Sequence, residues 1–200
     1  MKLLSTHRYD TIDRRAAALC AALNARDEYT FMHSSRVSVL SMALGREIGL
    51  SRLELDVLGF SSILHDVGKV GIPDSVLLKA GELSDEERAM MKTHAAIGEN
   101  IVLAADVDEL SPASEVIRHH HERYDGAGYP DGLAGENIPV LARVLALSDS
   151  YDAMATRRVY SRARSHAEIV ATLEQEQGHH DPYLRKLFIA IAEKSVHRAP

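Results

Sequence analysis

Helical periodicity extends along almost the whole chain, and this pattern limits the folds that the sequence can adopt. Three serines each stand three residues before a glutamate, which is the spacing of a helix-starting capping box: Ser51 and Glu54, Ser84 and Glu87, and Ser165 and Glu168. No segment alternates apolar and polar residues as a half-buried strand does. We therefore predict an all-α fold, a single-domain bundle of about seven or eight helices over residues 1–200, with residues 1–10 as a loosely ordered N-terminal segment.

Glycine-rich stretches interrupt this pattern twice, near residues 66–73 and at residues 122–138. The second stretch, ERYDGAGYPDGLAGENI, cannot form a regular helix because its glycines and its proline break helical structure. Between the two stretches, we expect one continuous helix that begins at Asp85 and extends through residue 105. Both glycine-rich stretches are predicted to be loops.

Composition narrows the class of protein further. Of the 200 residues, 46% are hydrophobic and 26% are charged, values that are ordinary for a globular domain. A formal net charge of −6 argues against a nucleic-acid polymer as a partner, since such binding needs cations that neutralise phosphates. The single cysteine excludes an intrachain disulfide and a thiolate-rich zinc site. No apolar run reaches the roughly 20 residues of a membrane span, and the N-terminus turns polar too early for a signal peptide. We therefore expect a cytoplasmic protein without membrane association.

Histidine and aspartate residues lie within or at the ends of several predicted helices. These residues are His33, His65, Asp66, His94, the run His119–His121, Asp149 and Asp152. Taken singly, each has an ordinary explanation, such as a surface histidine or a histidine that complements a helix dipole. Taken together they indicate a metal centre, because a helix bundle can direct side chains from several helices into one site. Imidazole and carboxylate ligands without thiolate suit Fe, Mn, Co, Ni or Zn, and two such ions about 3.5–4 Å apart serve phosphate-ester hydrolysis.

Two motifs connect these residues to a known family. The stretch HDVGKVGIPD at residues 65–74, followed by HHERYDGAGYP at residues 120–130, resembles the HD-GYP family. The similarity extends from about His33 to Pro182 and includes ENIPVLARVLALSDSYDAM and the late GHHDP. HD-GYP domains are a branch of the HD phosphohydrolases that hydrolyses cyclic di-GMP. The resemblance therefore implies a metal-dependent phosphodiesterase that converts cyclic di-GMP to linear pGpG and, by further cleavage, to GMP.

The resemblance also implies a role for each matching residue. One divalent transition-metal ion would be held by His33, His65, Asp66 and Asp149, and a second by His94, His120 and His121 with Asp66 as the bridging ligand. This dinuclear centre, with Fe or Mn as the expected metal and Zn, Ni or Co as alternatives, would lie at the centre of the bundle beside the Gly-rich GYP loop. Asp66 and Lys69 would be catalytic, with Lys69 facing the reacting phosphate. The residues implied to bind the cyclic dinucleotide are Lys69, Gly128, Tyr129, Pro130 and Arg158.

The chain departs from the family pattern in ways that bear on the metal count and on recognition. Some relatives bind a third metal through a glutamate four residues before the first histidine, where this chain has Tyr29. Glu28 precedes this position by one residue, so on a helix its side chain is turned by about 100° from the direction that a third-metal ligand needs. We therefore predict two metals. Beyond Arg158, this chain has Ser161 at a position where the family carries a basic residue. Arg162 or Arg164 would have to take the place of that missing cation. Six histidines fall outside the family pattern. His119 is an extra residue in the run before Glu122, and we predict the other five to be surface or cap residues: His7, His166, His179, His180 and His197.

The sequence leaves two alternatives open. One is hydrolysis of another cyclic dinucleotide, such as cyclic GMP-AMP, or of a mononucleotide phosphate. The other is a non-catalytic signalling module that binds a protein through the GYP loop, although the complete ligand set argues against it. The chain before His33 is too short for a receiver domain, so we expect either that the protein acts alone or that a separate partner regulates it, such as a regulatory protein or a diguanylate cyclase. The sequence also leaves open whether the chain forms a homodimer.

Overall fold

The computed structural model describes residues 18, 21, 28–105, 111–156, 162–194 and 199. These residues form α-helices, two short 3-10 helices and connecting turns, with no β-strand among them. The helices are α1 (Glu28–Glu47), α2 (Arg52–Leu64), α3 (Asp74–Leu77), α4 (Asp85–Lys92), α5 (His94–Ala104), α6 (Ser111–His119), α7 (Val140–Ala155), α8 (His166–Gln175) and α9 (Pro182–Ala192). The 3-10 helices are Val67–Gly71 and Gly135–Asn137. The predicted all-α bundle is confirmed, since eight of these helices have eight residues or more and α3 is a single turn.

The predicted helix-start signals are present in the structure. At the starts of α2, α4 and α8, the serine side chain accepts a hydrogen bond from the glutamate backbone N–H, and the glutamate carboxylate accepts one from the serine backbone. Gly49, two residues after the end of α1, has a φ of 78°, in the left-handed region that favours glycine. Asp181 caps α9 by accepting bonds from the backbone N–H groups of Tyr183 and Leu184. Local sequence therefore determines where these helices begin and end.

The single helix predicted from Asp85 through residue 105 is wrong, because the chain breaks at Thr93 into α4 and α5. The Thr93 hydroxyl donates a hydrogen bond of 2.7 Å to the Met90 carbonyl oxygen. Such a bond from threonine to the preceding turn competes with the regular helical pattern and bends helices. The break makes the buried His94 the first residue of α5, next to the segment that carries Asp66.

The stretch predicted as a loop near residues 66–73 forms instead the 3-10 helix Val67–Gly71, which α3 follows. Gly68 lets this 3-10 helix approach the backbone of α5. A Cβ atom added to Gly68 would lie 1.9 Å from the His94 carbonyl oxygen and 2.6 Å from the Gly98 backbone nitrogen. Only glycine fits this contact, which holds Asp66 against the start of α5.

We expect Gly68→Ala to destabilise the fold by about 1–3 kcal/mol or more, because the added methyl group meets backbone atoms that cannot move aside. Gly59→Ala in α2 is the matched control. There the added Cβ meets the flexible Met42 side chain at 3.4 Å, and alanine is the better helix former. Thermal unfolding measures the difference, and equal stability of the two variants would contradict the close approach at Gly68.

The helices enclose an apolar core. α1 packs against α2 and α7, and α5 packs against α6 and the first 3-10 helix. The large side chains that are fully buried include Leu40, Leu44, Leu58, Leu64, Ile117, Leu145 and Leu147. Among the described residues, no helix has the length and apolar character that a membrane span requires. The predicted segment 1–10 and the side chains of residues 28–31, including Glu28 and Tyr29, lie outside the described part of the chain.

Candidate metal centre

The seven predicted metal ligands lie close together in the structure. His33 comes from α1, His65 and Asp66 follow α2, His94 begins α5, His120 and His121 lie in the turn after α6, and Asp149 belongs to α7. The imidazole rings of His33, His65, His120 and His94 are arranged in that order, with successive centroid distances of 5.3, 5.2 and 5.4 Å. Two groups of ligand atoms each lie within 4.8 Å of one another, one from His33, His65 and Asp66 and one from His94, His120 and His121.

Three of the histidines, His65, His94 and His120, share one arrangement. In each, Nδ1 contacts the backbone carbonyl oxygen three residues earlier, at 2.8, 2.8 and 2.6 Å. This contact fixes Nδ1 as the donor and leaves Nε2 with a free lone pair. The three Nε2 atoms are buried and have no hydrogen-bond partner among the described residues. Burial lowers the pKa of His94, of His120 and, to about 3, of His121, so these rings are neutral. Neutral imidazoles with unpartnered, buried nitrogens fit a metal-binding role.

Asp66 lies between the two groups of histidines. Its Oδ2 atom is 3.4 Å from His65 Nε2, and its Oδ1 atom is 3.5 Å from His94 Nε2. Burial opposes ionisation of this carboxyl group, but the positive charge of Lys69 holds its pKa well below the usual value. An ionised carboxylate whose two oxygens face different histidines has the geometry of a bridging ligand.

His33 lies between two aspartates of α7. Its Nε2 atom is 3.0 Å from Asp149 Oδ1, and its Nδ1 atom is 2.7 Å from Asp152 Oδ2. Burial lowers the pKa of His33, but the two carboxylates outweigh it and raise the pKa to about 9. A metal bound at Nε2 has to displace the proton there, while Nδ1–H continues to donate to Asp152.

Sequence reasoning missed the role of Asp152 and of its partner Arg36. The Arg36 guanidinium donates bonds of 2.6 and 3.0 Å to the two oxygens of Asp152, which is buried. The signal was present, because Arg36 follows His33 by three residues and Asp152 follows Asp149 by three, so each pair shares a helix face. Their contact across α1 and α7 depends on packing that the sequence does not display.

A pocket of about 460 Å³ opens onto these ligands. The ligands that line it include His33, Asp66, His120, His121 and Asp149, and the cations that line it are Lys69, Lys92 and Arg123. Lys69 Nζ donates a bond of 2.7 Å to Asp66 Oδ2, and Lys69 lines the pocket. The sequence did not single out Lys92 or Arg123 as residues of this site.

The GYP loop forms one wall of the pocket. The Tyr129 ring stacks on His121 with a centroid distance of 4.8 Å, and burial raises the pKa of its hydroxyl group. Gly128 is required for packing as well, because an added Cβ would lie 2.3 Å from the Arg123 backbone nitrogen. Pro130 is exposed and does not line the pocket. Arg158, predicted to bind substrate, lies outside the described residues, as does Ser161.

Two of the histidines predicted to be surface or cap residues are buried, so that prediction is wrong for them. His166 lies between the Tyr151 hydroxyl group at 2.8 Å and the Glu193 carboxylate at 2.7 Å. His180 is buried and, with the partly buried His179 stacked on it at 4.5 Å, lines the pocket. Both segments pack inward through tertiary contacts that no local pattern indicates. His7 and His197 lie outside the described residues.

The extra histidine of the run has a structural role. His119 Nε2 is 2.8 Å from Asp131 Oδ2, and Arg118 also contacts this carboxylate. The neighbouring Glu122 is buried and accepts bonds of 2.7 and 3.0 Å from the backbone N–H groups of Asp131 and Gly132. These contacts attach the GYP loop to the end of α6.

Comparison with known proteins agrees with this fold and these motifs. The sequence profile of the HD domain family matches residues 18–184, which is most of the chain. The chain therefore belongs to the HD domain family. Within that family, its relatives and a solved structure confirm the resemblance to HD-GYP proteins.

The chain is 40% identical over 200 residues to a cyclic di-GMP phosphodiesterase of Vibrio cholerae serotype O1, a match that covers 93% of this chain and 41% of the relative. It is 37% identical over 172 residues to 3'3'-cGAMP-specific phosphodiesterase 2 of the same organism, a match that covers 86% of this chain and 33% of that relative. A solved HDG"Y"P protein from Bdellovibrio bacteriovorus shares the fold, with a TM-score of 0.65, 24% identity and coverage of 82% of this chain and 52% of that one. The chain thus spans less than half the length of these curated relatives.

Proposed function

We propose that this chain is a metal-dependent phosphodiesterase that hydrolyses cyclic di-GMP to linear pGpG and, by further cleavage, to GMP. The observation that carries the proposal is the arrangement of Asp66, whose two oxygens face the His65 and His94 nitrogens at 3.4 and 3.5 Å beside an open pocket. The names of the relatives support a cyclic dinucleotide as the substrate, and the carboxylate and imidazole ligands support a phosphate ester as the reacting group.

In this proposal, two divalent ions are held by the ligand sets implied by the motifs, with Fe or Mn preferred over Zn, Ni or Co. When bound, the ions supply an activated water and stabilise the leaving oxygen. Asp66 and Asp149 hold their negative charge in the buried site. Lys69, which borders the pocket, contacts an oxygen of the reacting phosphate and stabilises the charge that develops there.

The second candidate substrate is 3'3'-cyclic GMP-AMP, because a relative of similar identity is named for that specificity. Protein prepared without oxygen and assayed against cyclic di-GMP, 3'3'-cyclic GMP-AMP and pGpG distinguishes the candidates by product chromatography. We expect cyclic di-GMP to have the highest kcat/KM. Faster hydrolysis of cyclic GMP-AMP would favour the second candidate, and metal-loaded protein without activity on any of them would favour a non-catalytic module.

Tyr129 is proposed to contribute to substrate capture through its hydroxyl group, which makes no hydrogen bond to any described residue. We expect Tyr129→Phe to raise KM by about fivefold, the worth of one hydrogen bond of about 1 kcal/mol, at unchanged metal content. Steady-state kinetics and elemental analysis check this result. Wild-type kinetics in Tyr129→Phe together with loss of stability in Tyr129→Ala would mean that the ring only packs on His121.

Other expectations from the sequence stay predictions. These are the cytoplasmic location, regulation by a separate partner, the substrate contact of Arg158, the question of a homodimer and the single-domain organisation of residues 1–200. The count of two metals also stays a prediction, because the side chains of Tyr29 and Glu28 lie outside the described residues.

A further inference from the structure

The three cations that line the pocket differ in their partners. Lys69 Nζ donates to Asp66 Oδ2 at 2.7 Å. Arg123 donates to both oxygens of Asp125, at 3.1 and 2.6 Å. Lys92, in contrast, has no carboxylate partner among the described residues, and its ammonium group lies 5.2 Å from the centroid of the Tyr129 ring. The pocket therefore contains one cation whose charge is not balanced by a neighbouring carboxylate in the described structure.

Lys92 lies near the metal centre but is not one of the predicted metal ligands. Lys92 is the last residue of α4, where a cation complements the helix dipole. Lys92 could complement the helix dipole whichever way its side chain extended. Here the side chain extends over Tyr129 and lines the pocket. Tyr129 in turn stacks on His121 at 4.8 Å. The ammonium group is thus linked to the ligand cluster through one aromatic ring.

We propose that Lys92 binds the second, non-reacting phosphate of a cyclic dinucleotide. This inference rests on the proposed function. A cyclic dinucleotide carries two phosphodiester groups, and while one is cleaved at the metal centre the other keeps its negative charge throughout the reaction. An ammonium group without a carboxylate partner can form a charge-assisted hydrogen bond with that phosphate. Arg123 is less suited to this role because Asp125 already engages two of its guanidinium nitrogens.

The chemistry defines what this contact does. Because the second phosphate does not change charge during hydrolysis, Lys92 stabilises the bound substrate and the transition state equally. Such uniform binding lowers KM and leaves kcat nearly unchanged. It also selects substrates with two phosphates over simple diesters that have only one.

The test compares two substrates, cyclic di-GMP and bis(p-nitrophenyl) phosphate, in wild-type protein and in three variants. Lys92→Met removes the charge, Lys92→Arg keeps it, and Lys186→Met is the control, since Lys186 is exposed on α9 away from the pocket. We expect Lys92→Met to raise KM for cyclic di-GMP about tenfold, with kcat within about twofold of wild type. Lys92→Arg should restore most of the affinity. Hydrolysis of the simple diester should be the same in all four proteins.

An unchanged KM for cyclic di-GMP in Lys92→Met would overturn the inference and leave the proposed function intact. Equal losses on both substrates, accompanied by a lower melting temperature, would also overturn it, because Lys92 would then only support Tyr129. If the wild-type protein cleaved the simple diester and no cyclic dinucleotide, the proposed function would fail and the inference with it.

Discussion

Asp66→Ala is expected to reduce hydrolysis of cyclic di-GMP to the background rate while the helical fold survives. The variant removes both oxygens that face the histidine groups, at 3.4 Å from His65 Nε2 and 3.5 Å from His94 Nε2. Loss of a ligand shared by two ions removes the arrangement that activates water and stabilises the leaving oxygen. Asp66 follows α2 and is not within an α-helix, so circular dichroism should report an unchanged helical content.

The matched control for this variant is Asp56→Ala, which removes an aspartate of α2 that pairs with Arg52 at the surface. Product chromatography should show normal activity in Asp56→Ala and background activity in Asp66→Ala. Elemental analysis should show full metal content in Asp56→Ala and reduced metal content in Asp66→Ala. His65→Ala should also be inactive but should keep metal at His94, His120 and His121. Near-normal turnover of Asp66→Ala at unchanged metal content would refute the bridging role.

Lys69→Ala is expected to lower kcat by about 10²-fold, because a cation directed at the developing charge stabilises the transition state more than the ground state. Lys69 lines the pocket, and its bond of 2.7 Å to Asp66 holds the ammonium group beside the bridging carboxylate. Both metals should remain bound. Lys79→Ala is the control, since Lys79 pairs with Glu87 and does not line the pocket.

Elemental analysis separates the two roles that Lys69 could have. A decrease in kcat with full metal content agrees with a catalytic role. A decrease that accompanies metal loss would instead make Lys69 a residue that only orients Asp66, and wild-type kcat would exclude both roles.

The helix starts could be predicted because their signals are local. A serine three residues before a glutamate is a helix-start signal within four residues of sequence, and all three such pairs begin a helix here. The motif residues likewise keep a fixed relation to helix ends, which is why His65 and Asp66 lie together after α2 and His120 and His121 after α6.

The features that sequence reasoning missed depend on contacts between distant segments. The bond between His33 and Asp152 joins residues 119 positions apart. The burial of His180 and the approach of Gly68 to α5 are outcomes of packing between helices. Periodicity within one helix shows which face is apolar, but it does not show which side chain of a neighbouring helix meets it.

The most direct test of the metal centre is anomalous scattering from crystals of protein prepared without oxygen, measured at the Fe and Mn absorption edges. We predict two peaks per chain, one among His33, His65, Asp66 and Asp149 and one among Asp66, His94, His120 and His121. Three fully occupied peaks would show that the count of two is wrong. A peak in only one group, or peaks at Glu176, His179 and His180 instead, would contradict the dinuclear centre bridged by Asp66.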